Sequence, residues 1–254
     1  MNPSPDQSAA MAPAWADEAV EFHVGDALEI LPTLPRVDAV VTDPPYGETS
    51  LAWDVRVKGW LDLLPTDSLW CFGSLRSFMA IAPEFDAAGW TLSQDIVWEK
   101  HNGSSFHADR FKRVHEVAAH FYRGTWADLH HETPTTPDAT KRTLRRNHRP
   151  PHTGHIEASA YASEDGGPRL MRSVVYVRSA HGSAVHPTQK PEGILRPLIE
   201  YACPPGGIVL DPFAGSGSTG LAARQSGRRA ILIEKDEGYA DAAIKRLAQM
   251  ELVA

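Results

Sequence analysis

Cysteine is scarce: two in 254 residues, Cys71 and Cys203. They lie far apart and form no Cys-x-x-Cys pair. Neither a disulfide framework nor a cysteine-built metal site can be read from them, so a reducing cytoplasm is the expected setting. Long apolar runs are also missing. None approaches the roughly 20 residues that cross a bilayer, and no basic segment followed by an apolar run opens the chain. Neither a membrane span nor a secretory leader is expected. There is no excess of positive charge: the formal net charge is −7, unlike that of a simple electrostatic nucleic-acid binder. What is present, 42% hydrophobic and 22% charged residues, suits a folded chain with a sizeable core.

Charge is unevenly spread. From Lys141 to Lys190 nine Lys or Arg residues face three acids, Glu157, Glu164 and Asp165. A basic middle in an acidic chain marks either a face for a polyanion or a solvated loop. Arg142, Arg145, Arg146 and Arg149, with His148 and His152, are the candidates for following a phosphate backbone. His130-His131-Glu132 has no second cluster at metal-ligand spacing, so no metal is expected.

Residues 1–18 have no periodicity and are expected to be a flexible tail. Short apolar runs predict strands at Val20–Val24, Val37–Thr42, Ser68–Phe72, Ile96–Trp98 and Glu116–Tyr122, with a helix over Ser77–Ala88. Residues 124–182 sustain neither helical nor strand period, which in a compact domain marks a functional or inserted segment. Then Ile194, Leu195, Leu198 and Ile199 share a helical face, although Pro197 should kink or delay that helix. A strand at Ile208–Leu210, a helix at Thr219–Gln225, a strand at Ala230–Ile233 and a helix from Glu237 to Leu252 complete the pattern. Trp60, Trp70 and Trp90 are expected in the core. Alternating strands and helices with short loops predict an α/β fold: a Rossmann-like, mostly parallel sheet with helices on both faces.

A glycine-rich turn, Asp211-Pro212-Phe213-Ala214-Gly215-Ser216-Gly217-Ser218-Thr219-Gly220, leaves one strand and enters a helix. Glycines there let the backbone turn tightly and approach a ligand. Glu234 ends the next strand, placed to accept hydrogen bonds from ribose hydroxyls. No lysine follows the glycines, so a nucleoside triphosphate is excluded. A nicotinamide dinucleotide satisfies the glycine spacing, while S-adenosylmethionine matches Phe213, Gly215 and Gly217 behind Asp211-Pro212.

Asp43-Pro44-Pro45-Tyr46 fits a particular chemistry. An exocyclic base amine is a poor nucleophile because its lone pair is delocalised into the ring. The Asp43 carboxylate and the Pro44 carbonyl can accept its two hydrogens and draw the nitrogen toward tetrahedral geometry, in a turn the prolines stiffen. Tyr46 offers a ring for stacking. Such a base must first leave the duplex stack, at a cost of a few kcal/mol. No covalent nucleophile is needed, and neither cysteine follows a proline.

Taken together these segments resemble the amino-methyltransferase family of DNA methyltransferases in its permuted β arrangement, where the catalytic motif precedes the cofactor motif. Gly25-Asp26-Ala27, Asp95–Lys100, His115-Glu116 and His186-Pro187-Thr188-Gln189-Lys190-Pro191 resemble further family motifs. The resemblance implies an S-adenosyl-L-methionine-dependent methyltransferase fold acting on double-stranded DNA. It places Asp26 at the cofactor adenine, and Thr188 and Lys190 near the methionine carboxylate. It gives Asp211, Phe213, Gly215, Gly217, Ser218, Thr219 and Glu234 to the cofactor and Asp43–Tyr46 to catalysis. Residues 19–254 become one methyltransferase domain: a catalytic half 19–123, an irregular target-recognition region 124–182 and a cofactor half 183–254. Asp at the first tetrad position favours adenine N6 over cytosine N4. An RNA base amine and a dehydrogenase are the more distant alternatives. A chain without an extra DNA-binding domain is expected to work as a homodimer.

Overall fold

The computed structural model describes residues 12–104, 108–146, 159–179 and 189–251. They form two compact units, one from the chain up to Glu132 and again from Ser173 onward, the other from Thr133–Arg172. In chain order the elements are β1 (Trp15–Ala16), β2 (Val20–Val24), α1 (Ala27–Ile30), β3 (Ala39–Thr42), β4 (Ser68–Gly73), α2 (Leu75–Ala87), β5 (Thr91–Ser104) and β6 (Arg113–Tyr122). Then come β7 (Thr135–Thr136), β8 (Arg142–Arg146), β9 (Ser159–Ser163), β10 (Arg169–Leu170) and β11 (Val174–Tyr176). The chain ends with α3 (Glu192–Ala202), β12 (Ile208–Asp211), α4 (Ser218–Gln225), β13 (Arg229–Glu234) and α5 (Glu237–Glu251).

The larger unit is built on a nine-stranded sheet ordered β1-β2-β13-β12-β3-β4-β6-β5-β11. From β2 across to β4 every pairing is parallel; β6 runs antiparallel to both β4 and β5, and β11 joins β5 in parallel. The late strands β12 and β13 slot between the early strands β2 and β3. From β12 the chain moves to β13 on one side; from β3 it moves to β4 on the other. The carboxyl ends of β12 and β3 therefore flank a topological switch point, where open α/β sheets bind their ligands.

Central strands buried on both faces read as continuous apolar runs rather than alternating ones. Side chains nevertheless alternate between two core layers. Ala39, Val41, Trp70, Phe72, Val209, Ala230 and Leu232 face Ile194, Leu198 and Ile199 of α3, Leu221 of α4 and Leu247 of α5. Val40, Leu69, Cys71, Leu210, Ile231 and Ile233 face Ile30 of α1, Phe85 of α2, and Trp60 and Trp90. The mostly parallel sheet with helices on both faces is thus present, and Trp60, Trp70 and Trp90 are core residues.

Three expectations need correction. Pro197 sits inside α3, which runs unbroken from Glu192 to Ala202. Burial of Ile194, Leu195, Leu198 and Ile199 around it outweighs the missing N–H. The tail expected to residue 18 is held from Trp15, which pairs with Phe22 of β2, while Asp17 accepts from the Ala19 and Val20 amides and pairs with Arg224. Residues 124–182 carry more strand than their sequence indicates. β8 pairs with β9 and β7 with β10 in the smaller unit, and β11 belongs to the main sheet. These strands are short, and their residues are largely exposed, so no hydrophobic alternation announces them.

Candidate active site

The Asp43–Tyr46 turn and the glycine loop begin at neighbouring strand ends. β3 is buried along its whole length and stops at Thr42; Pro44, with no N–H to donate, ends the ladder. β12 stops at Asp211, whose buried carboxylate is shared among three donors. One oxygen accepts from the Thr42 hydroxyl (2.7 Å) and the Phe213 amide (3.1 Å), the other from the Thr219 hydroxyl (2.6 Å). Burial pushes this carboxyl up to about 6 while the three donors pull it down. Asp211 was assigned to the cofactor; it lines the cavity described below, and its side chain joins β3, the glycine loop and α4. Gly217, at φ 71° in the left-handed region, turns the chain into α4, and a β-carbon there would lie 3.3 Å from Leu247.

Two acids line the next strand ends. The Glu234 carboxylate accepts from the Gly215 and Asp236 amides, each at 2.8 Å, which holds the loop against β13. Asp26 caps α1 by accepting from the Leu28 amide (2.9 Å) and pairs with Lys235 (2.8 Å). The Lys235 hydrogen bond and this amide keep the Asp26 carboxyl below its usual range. Between these groups lies a cavity of about 620 Å³, a size that takes a nucleoside-sized ligand. Asp26, Asp43, Asp211, Glu234 and Asp236 line it, against Arg56, Lys190 and Lys235. Such an acidic lining suits a ligand bearing hydroxyls and positive charge and opposes a phosphate-rich one. Phe213 lies on its wall and meets Trp60 edge-on, ring centroids 5.3 Å apart.

A buried chain of charges reaches the cavity from the other side. Lys190 pairs with Asp43, lies 3.2 Å from Glu116 and sits over the Phe72 ring at 5.1 Å; Glu116 also pairs with Lys100. The Tyr46 hydroxyl donates to the second Asp43 oxygen. Burial pushes the Asp43 carboxyl up, against the pull of the Lys190 ammonium. At Glu116 burial also pushes upward, but Lys190 and Lys100 together outweigh it and hold the group at about 2. Burial favours a neutral Lys190, and the Asp43 and Glu116 carboxylates overcome it, so the lysine stays charged.

Of the residues singled out in the sequence, Asp26, Asp43, Pro45, Lys190, Asp211, Phe213, Gly215, Ser218, Thr219 and Glu234 line this one cavity. Pro44 is buried behind it. Gly217 shapes the loop without being among the lining residues. The Ser218 hydroxyl accepts from Arg246 (2.9 Å). Lys190, placed near a carboxylate of the cofactor by resemblance, contacts carboxylates of the chain itself. Thr188 and Arg149 lie outside the described residues, as does the side chain of Arg146. Arg142 and Arg145 are exposed on β8, three positions apart and therefore on opposite faces of it. Sequence reasoning did not single out Asp54. Its buried carboxylate accepts from three consecutive amides after the tetrad, those of Gly47 (2.8 Å), Glu48 (2.9 Å) and Thr49 (2.7 Å). Nothing in its local spacing signals that role.

Known proteins resemble this chain in sequence and fold. The N6/N4 methyltransferase profile, described as DNA methylase, matches residues 37–245. The type II methyltransferase M.HinfI of Haemophilus influenzae is 26% identical over 260 residues, spanning 89% of this chain and 68% of that protein. YubD of Escherichia coli (strain K12) is 31% identical over 91% of each chain. Among solved structures, the M1.HpyAVI–SAM complex superposes with a TM-score of 0.62 at 26% identity, covering 89% of this chain and 99% of that one. The cytosine-N4-specific PvuII DNA methyltransferase reaches 0.65 at 16% identity, a likeness of fold alone.

The charge chain makes a prediction about stability. Glu116 titrates at about 2 in the folded protein against an ordinary 4.5. Its stabilisation is complete above about pH 4.5 and is lost as pH falls toward 2, up to about 3 kcal/mol in all. Glu116→Gln should therefore unfold at lower urea concentration than the parent at pH 7, with the gap closing between pH 4.5 and 2. A gap that stays constant with pH contradicts this.

Proposed function

The chain belongs to the N6/N4 DNA methylase family, and from that premise we propose that it methylates the exocyclic N6 of adenine in duplex DNA. The coarser statement stands without the proposal: it is a DNA methyltransferase whose cofactor is S-adenosyl-L-methionine. Family membership sets aside the nicotinamide reading that the glycine spacing left open.

The residues present fit this cofactor. The acidic lining matches a molecule carrying a sulfonium and an ammonium. Glu234, already fixed by two amides, has lone pairs left for ribose hydroxyls, and Asp26 stands at the next strand end for the adenine edge. When bound, the cofactor supplies an electrophilic methyl group; the remaining work belongs to the chain.

That work is placement and charge. Asp43, beside the cavity, offers its carboxylate to one hydrogen of the target amine, and the Pro44 carbonyl takes the other. The nitrogen lone pair would then be free for in-line attack on the methyl carbon as the carbon–sulfur bond breaks and the neutral thioether leaves, the amine giving up one proton, a step governed by positioning and electrostatics. The ionised Asp43 is the stronger acceptor for this purpose. Lys190 opposes the burial that would neutralise it, and Tyr46 fixes the carboxylate by its hydroxyl. The observation that carries the proposal is this half-buried, lysine-paired Asp43 in the lining of the cofactor cavity. Asp rather than Ser in first place of the tetrad supports adenine over cytosine.

Two outcomes follow. With labelled S-adenosylmethionine and unmethylated plasmid DNA, nucleoside analysis should return N6-methyladenine. Asp43→Ala should lose transfer by at least about 1,000-fold while still binding cofactor in calorimetry. N4-methylcytosine as product would replace the base assignment, and an active Asp43→Ala would remove the mechanism.

The second outcome concerns pH. Tyr46, Glu116, Cys71 and Asp211 also act on Asp43 or feel its charge, and Lys190 is the cation among them. Lys190→Met should move the acid limb of kcat to higher pH by about one to three units, with activity regained in alkaline buffer. An acid limb that does not move assigns the lysine another task.

A further inference from the structure

We infer that the segment Ala108–Arg113 leading into β6 is a second DNA contact, in which Phe111 enters the duplex where the target base leaves the stack. This rests on the DNA-methylating reading above. Phe111 is fully exposed, more so than any other large apolar side chain among the described residues. Arg110, Lys112 and Arg113 surround it, with Asp109 the one acid between Ala108 and Arg113. In a chain of net charge −7 that concentration of cations around a bare aromatic ring is unusual.

The hairpin projects from the edge of the sheet that carries the active site. β6 runs antiparallel to β4, and Val117 lies opposite Gly73, the last residue of β4. Glu116 is therefore just past that end, where it meets Lys190. Arg113, the first residue of β6, lies three residues further out, roughly 10 Å beyond Glu116 at about 3.4 Å per extended residue, and Phe111 precedes it by two. Arg113 approaches Glu48, two residues after Tyr46, at 3.8 Å. The segment thus stands beside the loop that follows the catalytic tetrad.

Its base is fixed. Between Glu99 and Ser104 the pairing with β6 slips, and Gly103 crosses so close that a β-carbon there would lie 2.4 Å from the Arg113 carbonyl oxygen. Only glycine permits this approach. The hairpin holds its apolar tip in solvent on a clamped stem, where burial within the chain does not recover the cost.

A duplex supplies what the tip lacks. Extruding a base opens a gap lined by two flat, apolar base faces, and a planar ring can fill it. Cations on either side then meet the flanking phosphates. Arg110 is engaged by Asp109 at 3.1 and 3.2 Å, while Lys112 is exposed and makes no ion pair among the described residues. Lys112 is therefore the cation most available to a phosphate. The same charges disfavour a basic protein partner.

The test uses the full chain, unmethylated plasmid DNA, and the same plasmid heat-denatured to single strands. Phe111→Ala should lower kcat/KM on duplex plasmid by about tenfold or more, and Phe111→Trp should restore it. On denatured DNA, where no stack has to be refilled, Phe111→Ala should equal the parent. Cofactor affinity by calorimetry should stay within about twofold. Lys112→Gln should reduce the slope of log affinity against log salt by about one phosphate contact, close to 0.9. Equal loss on duplex and denatured DNA would overturn the wedge, as would unchanged kcat/KM on both. A Phe111→Ala variant that merely changes the oligomeric state in sedimentation, at unchanged activity per chain, would assign the tip to a protein interface and overturn it too. Failure of the parent protein to methylate any DNA would instead remove the underlying functional reading.

Discussion

One buried carboxylate joins the two halves of the active site. Asp211 ends β12 and binds the hydroxyl of Thr42, the last residue of β3, together with the Phe213 amide and the Thr219 hydroxyl. Its two oxygens therefore fix the residue before Asp43, the second position of the glycine loop and the first turn of α4. A carboxylate buried in this way is costly unless its lone pairs are used, and here each oxygen is engaged. The constraint is topological in origin. β12 and β3 are 169 residues apart between Thr42 and Asp211, yet lie side by side because β12 and β13 insert between early strands.

A second set of charges acts on the other side of the same turn. Asp43, Lys190, Glu116 and Lys100 alternate in sign, so each buried ion is neutralised by its neighbours. The pairing has a chemical consequence. An aspartate half-buried at the end of a central strand would tend to hold a proton, and would then be a weaker acceptor for an amine hydrogen than the carboxylate is. Burial is the larger influence and raises the carboxyl above its ordinary range, while the Lys190 ammonium opposes it and favours the accepting carboxylate.

Much of this was legible in the sequence, for reasons that particular residues make plain. Ala39–Thr42, Ile208–Asp211 and Arg229–Glu234 are central parallel strands, and their unbroken apolar character follows from burial on both faces. The glycine loop could be placed because backbone geometry demands glycine at Gly217. The charge chain was not legible, because Lys100 and Glu116 meet only across the β5–β6 pairing and Lys190 joins them from a distant segment. Asp54 escaped notice because a carboxylate that binds backbone amides leaves no spacing signature. Trp15–Ala16 looked like tail because two residues are too few to show a period. In Thr133–Arg172 the strands are short and largely exposed, which removes the alternation on which strand recognition depends.

The central claim is that Asp211 serves both halves of the site at once. Asp211→Asn keeps the shape of the side chain but removes its charge and replaces one acceptor oxygen with a donor, so the threonine hydroxyl on that side must reverse its role, and the Phe213 amide loses its acceptor if the nitrogen takes the shared position. The direct measurement is the cofactor dissociation constant of this variant together with its kcat on DNA at saturating cofactor. The account predicts that affinity falls and that kcat remains depressed even when the cofactor site is filled. A variant that binds S-adenosylmethionine weakly but regains the full parental kcat at saturation would show that Asp211 serves the cofactor alone, and would contradict it.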